Sequence, residues 1–342
     1  MITLEKVQGS GNSFFLLDQD LLPSALNENE LSRLALALCP RKTGLAGGAD
    51  GILAVTASPT PSMHVINADG SQASMCGNGL RTVARYLHDH YGFGQEGKRD
   101  TIDGSFHVST LNANLQVRSV GNFAPGLPAY SVEISPVSFD SRSLPFTNLG
   151  RNRLINCSVP ELLPDLRFTA LSVPNPHVVS FMTQDQVQSV LLSSLGNRLN
   201  SPNPYFPNGV NVNFAHILGR NTLYVRTFER GVGLTNACGT GMSAASLCLV
   251  LTHPQMGEAN QEITVYNPGG MVKTRVHYQE EEGTYTINLI GNATVTHLIE
   301  LDESCLYHPP AQGSDLEKKE AKIKETAENT AYQDFVAKLS YH

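Results

Sequence analysis

The feature that most constrains this chain is an internal duplication. Cys76-Gly77-Asn78-Gly79 returns as Cys238-Gly239-Thr240-Gly241, at an offset of 162 residues. Gly11-Asn12-Ser13-Phe14 returns as Pro174-Asn175-Pro176-His177, with Asn12 and Asn175 163 apart. Residues 47–52 align with 209–214, and residues 65–67 with 227–229, both at 162. Chance gives one such match. Four in nearly constant register imply two homologous halves, a repeat far longer than a solenoid unit. A chain of 342 residues also exceeds what one core usually supports.

Both halves read in the same order. A strand comes first (14–17; 178–181), then a helix (about 30–38; about 185–199), then two strands (51–55 and 63–66; 210–216 and 222–228). The Cys-Gly-x-Gly turn follows, then a longer helix and further strands. After Cys76, Leu80, Val83, Ala84 and Leu87 follow the i, i+3, i+4, i+7 spacing of a one-sided apolar helix. After Cys238, residues 242–251 are almost wholly apolar or small. A helix apolar all round is normally buried, which predicts that it lies inside its half, wrapped by strands.

Breaker-rich stretches at 122–128 and 136–145 predict the boundary. The expected division is 1–128 for the N-terminal half, completed by a strand near 293–303, and 129–292 for the C-terminal half. Residues 304–342 form a charged extension. Its Lys- and Glu-rich composition and thin apolar stripe (Ile323, Ala327, Phe335, Leu339) predict a solvated helix or a partly disordered tail.

Apolar residues make up 41% and charged residues 16%, so a substantial core is available. The net charge of −7 argues against a nucleic-acid surface, which needs a basic stripe, and against an anionic membrane face. The first six residues lack a signal peptide's apolar run, and no stretch approaches the roughly 18 apolar residues of a membrane helix. Six scattered cysteines read as reduced thiols, predicting a cytoplasmic protein.

The chemistry is expected at the two Cys-Gly-x-Gly turns. The first amides of a helix lack intrahelical partners, and with the helix dipole they favour negative charge. A cysteine there can have a lowered pKa, and the glycines let the backbone approach a ligand. Two thiols flanking one anion site suit racemisation: one removes an α-proton and the other delivers a proton to the opposite face. Cys39, Cys157, Cys248 and Cys305 stand outside this pattern and read as inert buried thiols. Two cysteines without neighbouring ligands fall short of a zinc site, so no metal is expected. Cys-x-x-Cys, the Walker sequence and a post-strand G-x-G-x-x-G are absent.

With Gly48-Ala49-Asp50-Gly51, Asn67-Ala68-Asp69-Gly70-Ser71, Asn208-Gly209-Val210-Asn211 and Glu229-Arg230-Gly231 added to the blocks above, the chain resembles the diaminopimelate epimerase family over roughly residues 1–303. The resemblance implies an α/β fold of two pseudosymmetric domains. Each would be a curled sheet around a central helix, with the active site in the interdomain cleft. Cys76 and Cys238 would be the catalytic pair. Gly77, Asn78, Gly239 and Thr240 would hold the reacting carboxylate through backbone amides. Asn12 and Glu229 would receive the reacting ammonium, and Asn67, Asn175, Asn211 and Arg230 would grip the distal carboxylate and amine. His177 and Glu229 would tune the thiols. The implied activity is interconversion of LL- and meso-diaminopimelate without cofactor or metal, in the route to lysine and peptidoglycan precursors. The expected partner is this small diamino acid, not a nucleic acid or a membrane, and a homodimer is left open.

Three positions depart from the family pattern: Ser13 where Asp is usual, Gly51 where some members carry Gln, and Leu234 where an acid is usual. They keep two alternatives in view. One is a racemase of the same fold acting on another amino acid or a proline derivative. The other is a non-catalytic amino-acid-binding protein.

Overall fold

A computed structural model describes residues 1–73, 75–95, 103–281, 283–309 and 321–339. The fold is mixed α/β and separates into two compact units, Met1–Val132 with Gly291–Leu339, and Glu133–Ile290.

In the first unit, strand Asn12–Asp18 pairs antiparallel with Ile2–Gly9 and parallel with Gly51–Thr56, which pairs antiparallel with Ser62–Asn67. On the far side Ile2–Gly9 pairs with Thr294–Leu301. The run Phe14-Phe15-Leu16-Leu17 is buried on both faces of the sheet. Phe15 and Leu17 join Ile52, Ala54 and Ile66 in a core beneath helix Glu28–Leu38. Asn27 starts that helix with a capping box, accepting from Glu30 N while Glu30 Oε2 accepts from Asn27 N. Side chains alternate along a strand, so Phe14 and Leu16 face the other way, toward helix Gly77–Tyr91, which also packs on this strand. Its Leu80, Val83, Ala84 and Leu87 are fully buried, as their spacing predicts. Gly92, at φ +75°, ends the helix in the left-handed conformation.

The second unit repeats the pairing order. Strand Pro176–Phe181 pairs antiparallel with Arg167–Ser172 and parallel with Asn211–Gly219, which pairs antiparallel with Thr222–Glu229. Strands Glu262–Asn267, Gly270–Gln279 and Thr284–Asn292 extend the sheet. Helix Gly239–Thr252 is buried at every residue from Gly239 to Leu249 and packs against strands from Arg167–Ser172 through Gly270–Gln279. Its hydroxyls cost little there, because Ser243, Ser246 and Thr252 donate to the carbonyls of Gly239, Met242 and Cys248.

Four expectations need correction. The helix expected over 185–199 is two helices, Gln184–Gln188 and Leu191–Asn200. The break is Ser189, whose backbone is extended and whose hydroxyl donates to Gln186 O and accepts from Leu191 N. The breakers at 122–128 are not a linker. They form the turn of a hairpin joining Asn114–Ala124 to Leu127–Ile134, with Gly126 at φ +73°. Cys157 is half-exposed, unlike the buried Cys39, Cys248 and Cys305.

Where it is described, the C-terminal segment is more than a solvated helix. Ala321–Glu325 adds an antiparallel strand to Thr294–Leu301, and helix Ala327–Ala337 follows. Phe335 lies edge-on to Phe123 with ring centroids 5.6 Å apart. Glu328 takes two hydrogen bonds from Arg85, at 2.6 and 2.7 Å, and one from Val295 N at 3.0 Å. The rest of the expected tail, 310–320 and 340–342, lies outside the described residues.

Arg85 is on the helix that follows Cys76, so the tail braces that helix. Charge-assisted hydrogen bonds of this kind contribute about 1.5–3 kcal/mol each when little exposed. Glu328→Ala is expected to destabilise the first unit by about 1–3 kcal/mol, read as a lower thermal midpoint. An unchanged midpoint would mean that the tail is only laid on the surface.

Candidate active site

Each cysteine of the duplicated turn is the N-cap of its helix. Cys76 (φ −140°, ψ 107°) and Cys238 (φ −120°, ψ 104°) share an extended backbone. Each sulfur accepts from the amide three residues on, Gly79 N and Gly241 N, both at 3.4 Å. Sulfur thus stands where a serine or aspartate oxygen usually caps. The first intrahelical bonds run from Leu80 N to Cys76 O and from Met242 N to Cys238 O. The amides of Gly77, Asn78, Gly239 and Thr240 therefore precede the helical ladder and are donors for an anion. The last glycine of each turn is closely packed against a side chain. A Cβ on Gly79 would lie 2.8 Å from the Leu53 side chain, and one on Gly241 would lie 2.3 Å from Asn213 Oδ1.

Around Cys76, the thiol donates to Asn12 Oδ1 across 3.6 Å. Asn12 is oriented from behind, because its Nδ2 donates to Asp50 Oδ2 at 2.7 Å. Asp50 also accepts from Ser13 N and pairs with Arg41. Ser13 keeps a role in this network, accepting from Arg41 at 3.3 Å. Asn78 is buried, and its Oδ1 has no hydrogen-bond partner among the described residues. Asn67 is engaged elsewhere, donating to Ser71 Oγ at 3.0 Å in the turn after its strand. Gly51 pairs with Asn67, and a Cβ there would meet Ile66 O at 2.2 Å, so this backbone excludes a side chain at 51.

Around Cys238, polar side chains form one buried network. Thr240 Oγ1 is 3.5 Å from the sulfur and 3.0 Å from His177 Nε2. Asn175 Oδ1 also lies 3.0 Å from Nε2, and Asn213 Nδ2 lies 3.0 Å from Nδ1. Asn213 Oδ1 accepts from the Thr227 hydroxyl, so its amide nitrogen is the group that faces the ring. Nδ1 is then the acceptor and Nε2 carries the proton. Burial pushes the His177 pKa down to about 3, so the ring is neutral. Thr240 Oγ1 thus stands between the ring and the Cys238 sulfur. Asn211 Oδ1 accepts from Arg230 N at 2.8 Å, and the Arg230 guanidinium donates to Asn208 O at 3.0 Å.

The expected lowering of a helix-N-terminal thiol fails at Cys238. Burial, followed by the Glu229 carboxylate, pushes that thiol well above its ordinary pKa, outweighing Thr240 and the Gly241 amide. Burial likewise pushes Cys39 and Cys248 up to about 12.

The structure thus gathers Asn12 and Asn78 at Cys76, and Asn175, His177, Asn211, Glu229, Arg230 and Thr240 at Cys238. Asn67 makes its contacts in its own turn, and Leu234 is exposed. Sequence reasoning missed Asp50, Arg41 and Asn213. Asn211 and Asn213 share one face of a strand by period two, and two asparagines so placed in an otherwise apolar strand were the available signal. Among the described residues, no group of three or more His, Cys, Asp or Glu side chains is placed to hold a metal ion. No helix there is long and apolar enough to cross a membrane.

A family model described as diaminopimelate epimerase matches residues 5–120 and 169–295. A diaminopimelate epimerase of Lactiplantibacillus plantarum is 46% identical, covering 99% of both chains. One from Enterococcus faecalis is also 46% identical over 99% of both. One from Listeria innocua is 46% identical over 86% of both. Among solved structures, a phenazine biosynthesis protein of the PhzF family from Bacillus anthracis superposes with a TM-score of 0.59 at 16% identity, over 85% of this chain and 96% of that one. A probable proline racemase from Agrobacterium radiobacter gives 0.55 at 13% identity, over 92% and 99%. These distant structures share the fold.

Neutral, buried His177 also makes a pH prediction. Its folded pKa lies below the unfolded value of 6.5, so the unfolded chain binds the extra proton between the two. Its contribution is fully present above pH 6.5 and is lost as pH falls toward 3, by about 1.4 kcal/mol per unit. Urea unfolding at pH 7 and pH 5 should show this loss, and His177→Asn should flatten it. An equal acid loss in both proteins would mean that His177 is not held neutral.

Proposed function

The chain belongs to the diaminopimelate epimerase family and is an amino-acid isomerase; on that premise we propose that Cys76 and Cys238 are its two proton-transfer groups, acting on opposite faces of one α-carbon to interconvert LL- and meso-diaminopimelate. The observation that carries this reading is the sulfur at the N-cap in both units, each bonded to the glycine amide three residues on. The two halves, alike in strand pairing order, then contribute one thiol each.

One thiolate takes the α-proton, and the opposite thiol gives its proton to the other face. Charge moves onto the α-carboxylate as the carbanion forms. The amides of Gly77, Asn78, Gly239 and Thr240 are the donors suited to it, stabilising the transition state more than the ground state. Asn12 and Glu229 receive the reacting ammonium. Asn67, Asn175, Asn211 and Arg230 hold the distal carboxylate and amine, a planar guanidinium being suited to a carboxylate. His177, through Thr240, and Glu229 tune the second thiol. A distal set of this kind has no use for a proline ring, and two retained cysteines argue against a binding protein without turnover. A cytoplasmic setting belongs to the same reading, supported by six free thiols.

Single-cysteine variants test the assignment. Cys76→Ala and Cys238→Ala should each lower epimerisation by at least about 10²–10⁴-fold in both directions. A substrate analogue with a leaving group at the β-carbon needs only one proton abstraction. Each variant should therefore still eliminate from one stereoisomer, and the two variants from opposite ones. Elimination from the same stereoisomer by both, or wild-type epimerisation in either, would contradict the two-thiol centre.

A further inference from the structure

An asparagine can offer a ligand either end of its amide, and at Asn12 the surroundings leave one. Its Nδ2 donates to Asp50 Oδ2 at 2.7 Å, so Oδ1 is the end that meets the Cys76 thiol, at 3.6 Å. A carbonyl oxygen has two lone pairs, so one remains for a second donor. Asp50 is itself fixed. Its backbone N donates to Ser13 O at 2.8 Å, and its backbone O accepts from Ala68 N at 2.9 Å. Its carboxylate also accepts from Ser13 N at 2.8 Å and pairs with Arg41, whose guanidinium reaches on to Ser13 Oγ at 3.3 Å. A carboxylate only accepts, so just one of the two Asn12 orientations makes a bond to it. Hydrogen bonds to charged groups favour that orientation by about ten- to a hundredfold. The turn that delivers Asn12 is also held from below, where buried Arg81 donates to Ser10 Oγ at 2.9 Å.

The second unit keeps the asparagine and loses the carboxylate. Asn175 is the repeat of Asn12. At the repeat offset of 162 residues, Asp50 corresponds to Val212. By strand register, with Phe14 opposite Gly51 and His177 opposite Asn211, it corresponds to Val210. Both valines are fully buried. Asn175 instead has Oδ1 3.0 Å from His177 Nε2, the nitrogen that carries the proton. Its oxygen is the engaged end, and its Nδ2 is the end left for a ligand. The same residue of the repeat thus presents opposite ends in the two units, and the neighbour behind it makes the choice.

Resting on the functional reading above, we propose that Asp50 is a positioning residue for the reaction: it commits Asn12 to presenting Oδ1, and so makes the place beside Cys76 an acceptor for the reacting ammonium. The reversed amide would turn its two N–H groups toward the ammonium, donor against donor. Arg41 completes the device. It holds the second carboxylate oxygen, so Asp50 cannot rotate away from Asn12. Capping the turn through Ser13 N would be the whole task of a carboxylate that only braced the loop. The bond to Asn12 is additional to that, and it is the one that reaches the site.

The test has two arms, both on the full-length protein. Without substrate, NMR of the Asn12 side-chain amide, identified by the loss of its signal in Asn12→Ala, reads the orientation. Amide protons held by Asp50 should exchange with solvent at least about tenfold more slowly than in Asp50→Ala. With diaminopimelate, Asp50→Ala should lower kcat/KM by about ten- to a hundredfold. Added to Asn12→Ala, the same change should cost no more than about twofold, in proteins shown to be folded by their thermal transitions. A carboxylate that merely braced the loop would cost the same in both backgrounds, and that result overturns the proposal. So does a wild-type Asn12 amide that exchanges as freely as in Asp50→Ala. If Asp50→Ala fails to fold, the wild-type Asn12 amide, measured against exposed asparagine amides of the same chain, decides alone. A wild type that protects this amide yet does not epimerise diaminopimelate would support the orientation and overturn only the functional reading.

Discussion

A sulfur held at the N-cap of a helix that cannot shift is the constraint on which the rest depends. A thiol on a loop would wander by more than proton transfer tolerates. Here the helix behind each sulfur is locked by burial, with Leu80, Val83, Ala84 and Leu87 inaccessible in one unit and Gly239 to Leu249 buried in the other. The cap bond to the glycine amide then fixes the sulfur against its own helix. A Cβ at either third position would meet a neighbouring side chain. The short motif is thus a packing solution before it is a chemical one.

The same turn sits in two different electrostatic settings. Cys76 is approached by a neutral amide oriented by Asp50, with a buried arginine beneath it. Cys238 is enclosed by Thr240, a neutral His177 and the Glu229 carboxylate. A reaction that moves a proton from one face of carbon to the other needs one group charged and one neutral at any moment. Two identical environments would leave that choice to chance. The neighbours of the two sulfurs have diverged while the turn stayed constant.

Much of this is readable in the chain because it rests on local rules. The duplication, the apolar spacing after Cys76 and the uniformly apolar helix after Cys238 all follow from periodicity and from glycine chemistry. What escaped depends on tertiary context. Ser189 breaks a helix through a hydroxyl that competes for backbone partners, and its residue type alone does not announce this. The charged tail looks solvated until Glu328 meets Arg85, more than two hundred residues away. A single arginine in a helix is normally exposed, so nothing local marks Arg81 as buried. Cys238 was misjudged because helix position was weighed without burial, and burial dominates.

The most direct test of two thiols serving one carbon is epimerisation of a single diaminopimelate stereoisomer in deuterium oxide, sampled at the earliest turnovers. Product should carry solvent deuterium at its α-carbon from the start, while recovered substrate keeps its own proton. That follows when the group that removes the proton is not the group that supplies the new one. Product that retained the substrate's proton, accompanied by deuterium washing into unreacted substrate, would point to a single base and contradict the account.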